Sequence, residues 1–138
     1  MFKEIKSALK GTHLKLKKQN STQKGNEAEK LALQYLKKQG LKYVSVQFQS
    51  KMGEIDLIMR QNNEIVFVEV RSLRISTFYE PFESINSAKQ RKLILTAQCY
   101  LNSHSWTADF TARFDVVSII GDQLNPKITW IPNAFGVE

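Results

Sequence analysis

Two acids, Asp56 and Glu69, sit inside GEIDLIMRQNNEIVFVEVR (residues 53–71), a stretch that otherwise reads as two β-strands turning at Asn62-Asn63. Asn tolerates the positive φ that a two-residue hairpin turn of type I′ requires. With that turn, Ile55 faces Val70, Leu57 faces Val68 and Met59 faces Val66, which makes one face purely apolar. The other face sets Ile58 against Phe67, Asp56 against Glu69 and Glu54 against Arg71. Like charges directly opposite in a sheet are destabilising, and two carboxylates about 5 Å apart repel by about 3 kcal/mol at an effective dielectric of about 20. Either one carboxyl keeps its proton or a cation stands between them; all-oxygen donors suit a hard ion such as Mg²⁺ or Mn²⁺. The plainer alternative is that the two acids splay apart toward solvent or separate cations. Arg71 shares their face. Its ordinary role is an ion pair with Glu54; its chemical one is a fixed positive charge that steadies a phosphate.

The flanking elements must position these acids. Ala28, Leu31, Ala32, Tyr35 and Leu36 repeat at helical spacing, which predicts an amphipathic helix from Asn26 to Gly40. Asn26 is its expected N-cap and Glu29, three residues on, completes a capping box. Residues 42–49 alternate as a strand that precedes the hairpin. Residues 73–83 have no period and contain Pro81, so they read as a loop, in which Phe78 and Tyr79 either pack or stack on an unpaired base. A second helix over 87–102 turns Leu93, Ile94, Ala97, Tyr100 and Leu101 inward. TARFDVVSII (111–120) and KITWIP (127–132) give two more strands, with Arg113 and Asp115 on one strand face as a structural ion pair. The order α-β-β-β-α-β-β, without internal repeats, predicts an α/β fold with a mixed sheet flanked by helices.

Composition narrows the classes. The chain has 138 residues, enough for one domain with a real core, and 42% hydrophobic content argues for a packed globule. No apolar run is long enough to span a bilayer and no apolar h-region opens the chain, so neither a membrane span nor a secretory signal is expected. The single cysteine, Cys99, builds no disulfide framework, and a reduced, cytoplasmic setting follows. His13 and His104 fit no ligand spacing, and no glycine-rich phosphate loop is present. Of the net charge of +7, nearly all lies in residues 1–24, which carry seven Lys against one Glu. That segment reads as a basic arm, with a short helix over Lys3–Lys10, ahead of a single domain over 25–138. Such an arm either draws in nucleic acid through its phosphates or is a solvated extension.

Taken together, GNEAE, GEIDLI, FVEVR, KQRKLILTAQCYL and RFDVV, in this order from about Gly25 to Ile120, resemble the YraN family of small bacterial proteins. That family is similar in fold to archaeal Holliday-junction resolvases, within the PD-(D/E)xK superfamily of nucleases. The resemblance implies a restriction-endonuclease-like core and a metal site made by Asp56, Glu69 and, by its place in GxxAE, Glu29. It implies Mg²⁺ or Mn²⁺ as cofactor, DNA as partner (branched or single-stranded) and a catalytic role for Asp56, Glu69 and the residue at 71. Lys89 matches a basic position that opens the family's second helix; Lys89, Arg91, Lys92 and Arg74 would hold flanking phosphates, which position without reading sequence. Two departures stand out: the nuclease lysine is Arg71 here, and the second basic position is Leu73, with Arg74 one step displaced. Arginine does not give up its proton, so a general-base role at 71 is excluded while charge stabilisation survives. The expected function is a metal-dependent DNA endonuclease, slowed by Arg71; the alternative is a nucleic-acid-binding protein that keeps a nuclease fold without catalysis. A homodimer is left open by the sequence.

Overall fold

The computed structural model describes residues 20–73, 85–121 and 124–136. Its elements are α1 (Asn20–Lys38), β1 (Lys42–Ser50), β2 (Gly53–Gln61), β3 (Glu64–Leu73), α2 (Ser87–Ser103), a 3-10 turn (Ser105–Thr107), β4 (Thr111–Ile120) and β5 (Lys127–Phe135). The five strands lie in the order β1-β2-β3-β4-β5. Only β3 and β4 run parallel, joined by the crossover that contains α2; the other pairs are antiparallel. This is the expected mixed α/β architecture, compatible with a restriction-endonuclease-like core.

The sheet is buried on both faces. Ala28, Ala32, Leu33 and Leu36 of α1 pack on Leu57, Met59, Val66, Val68, Val117 and Ile119. On the opposite face Leu93, Ala97 and Tyr100 of α2 pack on Ile58, Ile65, Phe67, Phe114 and Val116. The three layers explain why β2 and β3 read as near-continuous apolar runs rather than half-buried strands. Each fully buried Leu or Ile contributes about 2 kcal/mol by leaving water.

Two sequence expectations change here. The first helix begins at Asn20, taking in the last residues of the basic segment, and Asn26 lies inside it. Asn26 therefore caps nothing; it is buried, and its side-chain oxygen accepts a hydrogen bond from Gln47 Nε2 at 2.7 Å. The capping box does not form because the residues before Asn26 are themselves helical. The second change concerns register. The β2–β3 ladder follows the expected pairing from Gln61↔Glu64 to Leu57↔Val68 and then stops. Ile55 and Val70 are not paired; Ile55 packs with the α2 cluster while Val70 borders the α1 cluster. In the turn, Asn62 takes the positive φ, 53°, and Asn63 does not, so the hairpin has two turn residues but not the type I′ geometry. Residues 1–19, with the proposed Lys3–Lys10 helix, and Phe78 and Tyr79 lie outside the described residues.

The Arg113–Asp115 ion pair forms as expected, with Arg113 Nε and Nη2 donating to Asp115 Oδ1 and Oδ2 at 3.0 and 3.1 Å. The β4–β5 register shifts between Phe114 and Val116. At that bulge Asp115 turns its fully buried carboxylate to the Asn133 N–H (2.8 Å) and to Trp130 Nε1 (2.9 Å). The carboxylate satisfies donors that the irregular ladder leaves over.

Candidate active site

Where the β2–β3 ladder ends, the strands part and a side chain takes over the backbone's partner: Asp56 Oδ2 accepts the Val70 N–H at 2.8 Å. This anchors the Asp56 carboxyl between the diverging strands, facing Glu69. The two stand close enough to share a proton. Burial first, and the Glu69 charge second, push Asp56 up to about 9, against the opposing Val70 hydrogen bond. Of the plainer alternatives for this pair, splaying into solvent does not hold, since Glu69 is buried, while separate cations are met on Glu69 by Lys89 and Arg71.

Glu69 also meets two cations. Lys89 Nζ, from the first turn of α2, is 2.5 Å from Glu69 Oε2, and Arg71 Nη1 is 3.8 Å from the same oxygen. Arg71 thus turns to Glu69 rather than Glu54, because the parted strands no longer set residues 54 and 71 opposite each other. Lys89 was expected against a flanking phosphate; the structure brings it onto the acid pair. Asn86 sets its position by capping α2, accepting the Lys89 N–H at 2.8 Å. A groove of about 440 Å³ opens beside this contact, lined by Gly53, Glu54, Asn86, Lys89 and Lys92. Arg91 is exposed on α2 away from that lining, and Arg74 lies outside the described residues.

Glu29 joins from α1. Gln47 Nε2 reaches its Oε2 at 3.4 Å, while Oε1 is buried with no hydrogen-bond partner. Burial, outweighing the Gln47 bond, and then the charges of Glu54 and Glu69 raise Glu29 to about 7. Gln47 is a site residue that alternation along β1 did not single out. Its φ of 51° is left-handed in the middle of a strand, a conformation that carries strain and aims its amide at Asn26 and Glu29. A backbone outlier of this kind leaves no mark in the sequence.

Whether these residues suit Mg²⁺ or Mn²⁺ follows from the donors. Among the described residues no group of three or more His, Cys, Asp and Glu side chains closes into a metal cage. Asp56 and Glu69 converge, however, and Glu29 Oε1 is an orphaned buried oxygen facing the same charges. Magnesium is commonly held by only one or two carboxylates together with water and substrate phosphate oxygens. Two converging acids with a third nearby fit that pattern.

Gly53 fixes how α2 meets this site. Its φ is 151°, and a Cβ there would lie 3.0 Å from Thr96 Oγ1. That hydroxyl is itself tied to the Lys92 carbonyl at 2.7 Å, so it does not yield freely. Gly53→Ala should cost about 1–2 kcal/mol, read as a lower urea midpoint with an unchanged slope.

No described helix is long and apolar enough to cross a membrane. The sequence profile described as uncharacterised protein family UPF0102 matches residues 28–119, which include Glu29, Asp56, Glu69, Arg71 and Lys89. A UPF0102 protein of Coxiella burnetii (strain RSA 331) is 48% identical over 118 residues, covering 85% of this chain and 96% of its own. One from Vibrio vulnificus (strain YJ016) is 46% identical over 111 residues, 80% of this chain and 89% of its own. One from Legionella pneumophila is 44% identical over 113 residues, covering 82% and 94%. With the candidate site residues falling inside the matched span, the chain belongs to the UPF0102 family, the YraN family that its motifs resemble.

Proposed function

We propose that the Asp56–Glu69 pair is the centre of a metal-dependent DNA endonuclease acting in the cytoplasm, with branched or single-stranded DNA as the substrate class. The observation that carries this reading is the meeting of buried Glu69 with half-buried Asp56 where the hairpin opens, beside a groove edged by Lys89 and Lys92. Converging carboxyls that must keep a proton to coexist are a place where a divalent cation could take the proton's position. A divalent ion held there supplies polarisation of the phosphodiester and a usable water nucleophile at neutral pH. The chain's own residues do the rest. Asp56 and Glu69, with Glu29 behind them, hold the ion. Arg71 offers positive charge and hydrogen-bond donors to phosphate oxygens as negative charge grows on them, but takes no proton. Lys89, which pairs with Glu69, would supply a second charge to the same phosphate. Lys92 and Arg91 hold the neighbouring phosphates.

One observation favours a second reading, a nucleic-acid-binding protein without catalysis. Lys89 and Arg71 already neutralise Glu69 without any ion. Cleavage of four-way-junction, flap and single-stranded DNA with Mn²⁺ and Mg²⁺ separates the two. Cleavage that rises by about 10-fold or more in Arg71→Lys is expected for a nuclease slowed by its arginine. No cleavage by wild type or Arg71→Lys, with salt-sensitive DNA binding intact, would establish the second reading instead.

A further inference from the structure

At the opposite end of β2 from Gly53 and Glu54 lies another cavity, of about 520 Å³, walled by Lys37, Lys42, Arg60, Tyr43, Val44 and Trp106. Asp56 and Arg60 are four strand positions apart, about 13 Å, so this cavity is separate from the acid pair. Among the described wall residues three are cations and none is an acid. The β1–β2 ladder sets Lys42 directly across from Arg60, a like-charge pair that is unfavourable without an anion between or beside them.

The aromatic side of the cavity is built with equal regularity. The Arg60 guanidinium lies 4.7 Å from the Phe110 ring centroid, and its Nε donates to the Asn62 carbonyl at 3.1 Å. Phe110 in turn meets Trp106 edge to face at 5.5 Å. Cation, ring and indole therefore form one braced unit. The Trp106 indole is still 43% exposed, a large flat surface left to water. The 3-10 turn that presents it is pinned by buried Thr107, whose hydroxyl donates to the His104 carbonyl at 2.7 Å. Lys37 stands 5.9 Å from the Tyr43 ring centroid, and both line the cavity.

A ligand suited to these walls has a flat aromatic surface and more than one negative charge. An apolar ligand would strip water from three cations without replacing it, and a simple anion would leave the indole unused. We propose that this cavity is a single-stranded nucleic-acid site, in which a base stacks on Trp106 while Lys37, Lys42 and Arg60 hold the phosphates on either side. Its ligand is argued from its own walls and goes beyond the hydrolytic reading of the acid pair.

The test is fluorescence anisotropy of a labelled oligothymidylate of about ten nucleotides against the full chain, in EDTA and in the Asp56→Asn background, so that neither a metal nor cleavage contributes. Trp106→Ala should weaken binding about 10-fold, whereas Trp106→Phe, which keeps a ring, should retain most of it. Lys42→Glu should weaken binding about 10-fold and flatten its salt dependence. Lys127→Glu, the same charge change on exposed β5 at the other edge of the sheet, should move it far less. Binding indifferent to Trp106→Ala and Lys42→Glu would overturn the proposal, as would polyglutamate or a duplex competing as well as the single strand. Binding lost only in Lys89→Glu or Lys92→Glu would place the strand at the acid pair and also overturn it. Cavity-dependent binding without any cleavage would sustain this site while removing the hydrolytic reading, and cleavage without cavity-dependent binding would do the reverse.

Discussion

Asp56→Asn should abolish metal-dependent cleavage and, in the absence of metal, make the protein more stable at pH 8. On the proposed nuclease reading, the first effect follows from losing a charged metal ligand, and a fall of about 100-fold or more is expected. The second follows from the site's own electrostatics. Asp56 is raised from an ordinary 3.8 to about 9, so between those values the native state holds a proton that the unfolded chain has released. Stability from this group is fully present below pH 4 and declines as pH rises toward 9. Glu29, raised to about 7, acts in the same direction over a narrower range. Metal-free wild type should therefore lose about 2–4 kcal/mol between pH 5 and pH 8, measured by urea denaturation in EDTA. In Asp56→Asn the amide carbonyl can still accept the Val70 N–H while its NH₂ donates to Glu69, reproducing the protonated acid at every pH. The slope should flatten accordingly. Mn²⁺ at pH 8 should raise the melting temperature of wild type and not of the variant, with protons released as the ion binds. A wild-type stability that rises from pH 5 to pH 8 in EDTA would remove the shared-proton account of the pair.

Asp115→Ala should be the most destabilising single change. Its carboxylate is completely buried and accepts four hydrogen bonds, two from Arg113 and one each from Trp130 and the Asn133 N–H. Removing it strands those donors and leaves Arg113 with Glu64 as its remaining acid, at 2.8 Å. The expected cost is about 3–5 kcal/mol, seen as a fall of about 10 °C in melting temperature. Glu64→Gln provides the contrast. Glu64 is a third exposed, and its loss should cost no more than about 1 kcal/mol. DNA cleavage by Asp115→Ala, measured well below its melting temperature, should stay near wild type, because this network supports β5 rather than the acid pair.

The family motifs and the hydrophobic periods were sufficient for much of this protein. Alternation around Asn62-Asn63 determined the β2–β3 register as far as Leu57↔Val68, since a slip of one residue would expose an entire apolar face. The 3.6-residue spacing over 87–102 located α2 with its buried face, while the Asn86 side-chain cap that opens it came only from the structure. The repulsion expected of Asp56 and Glu69 was enough to mark them as a candidate site, because Coulomb energy depends on little more than spacing and burial.

Tertiary structure decided what depends on elements far apart in the chain. That the ladder ends at Asp56, letting its carboxylate take the Val70 N–H, is a consequence of strand divergence that no local pattern encodes. Local spacing reads Glu29 and Asn26 as a capping box, beside the metal-site role that the family resemblance implies for Glu29; Gln47, 21 residues beyond Asn26, reaches both from a left-handed backbone position. The sequence marks Lys89 only as a basic residue opening the second helix, and the docking of α2 across Gly53 carries it to Glu69. The cavity at Trp106 is assembled from α1, β1, β2 and the 3-10 turn, four segments whose cations and rings are unremarkable until the fold sets them side by side. Sequence determined which residues could do chemistry, through local period and charge. Packing determined which of them meet, because contact between distant segments is fixed by how the layers close over one core.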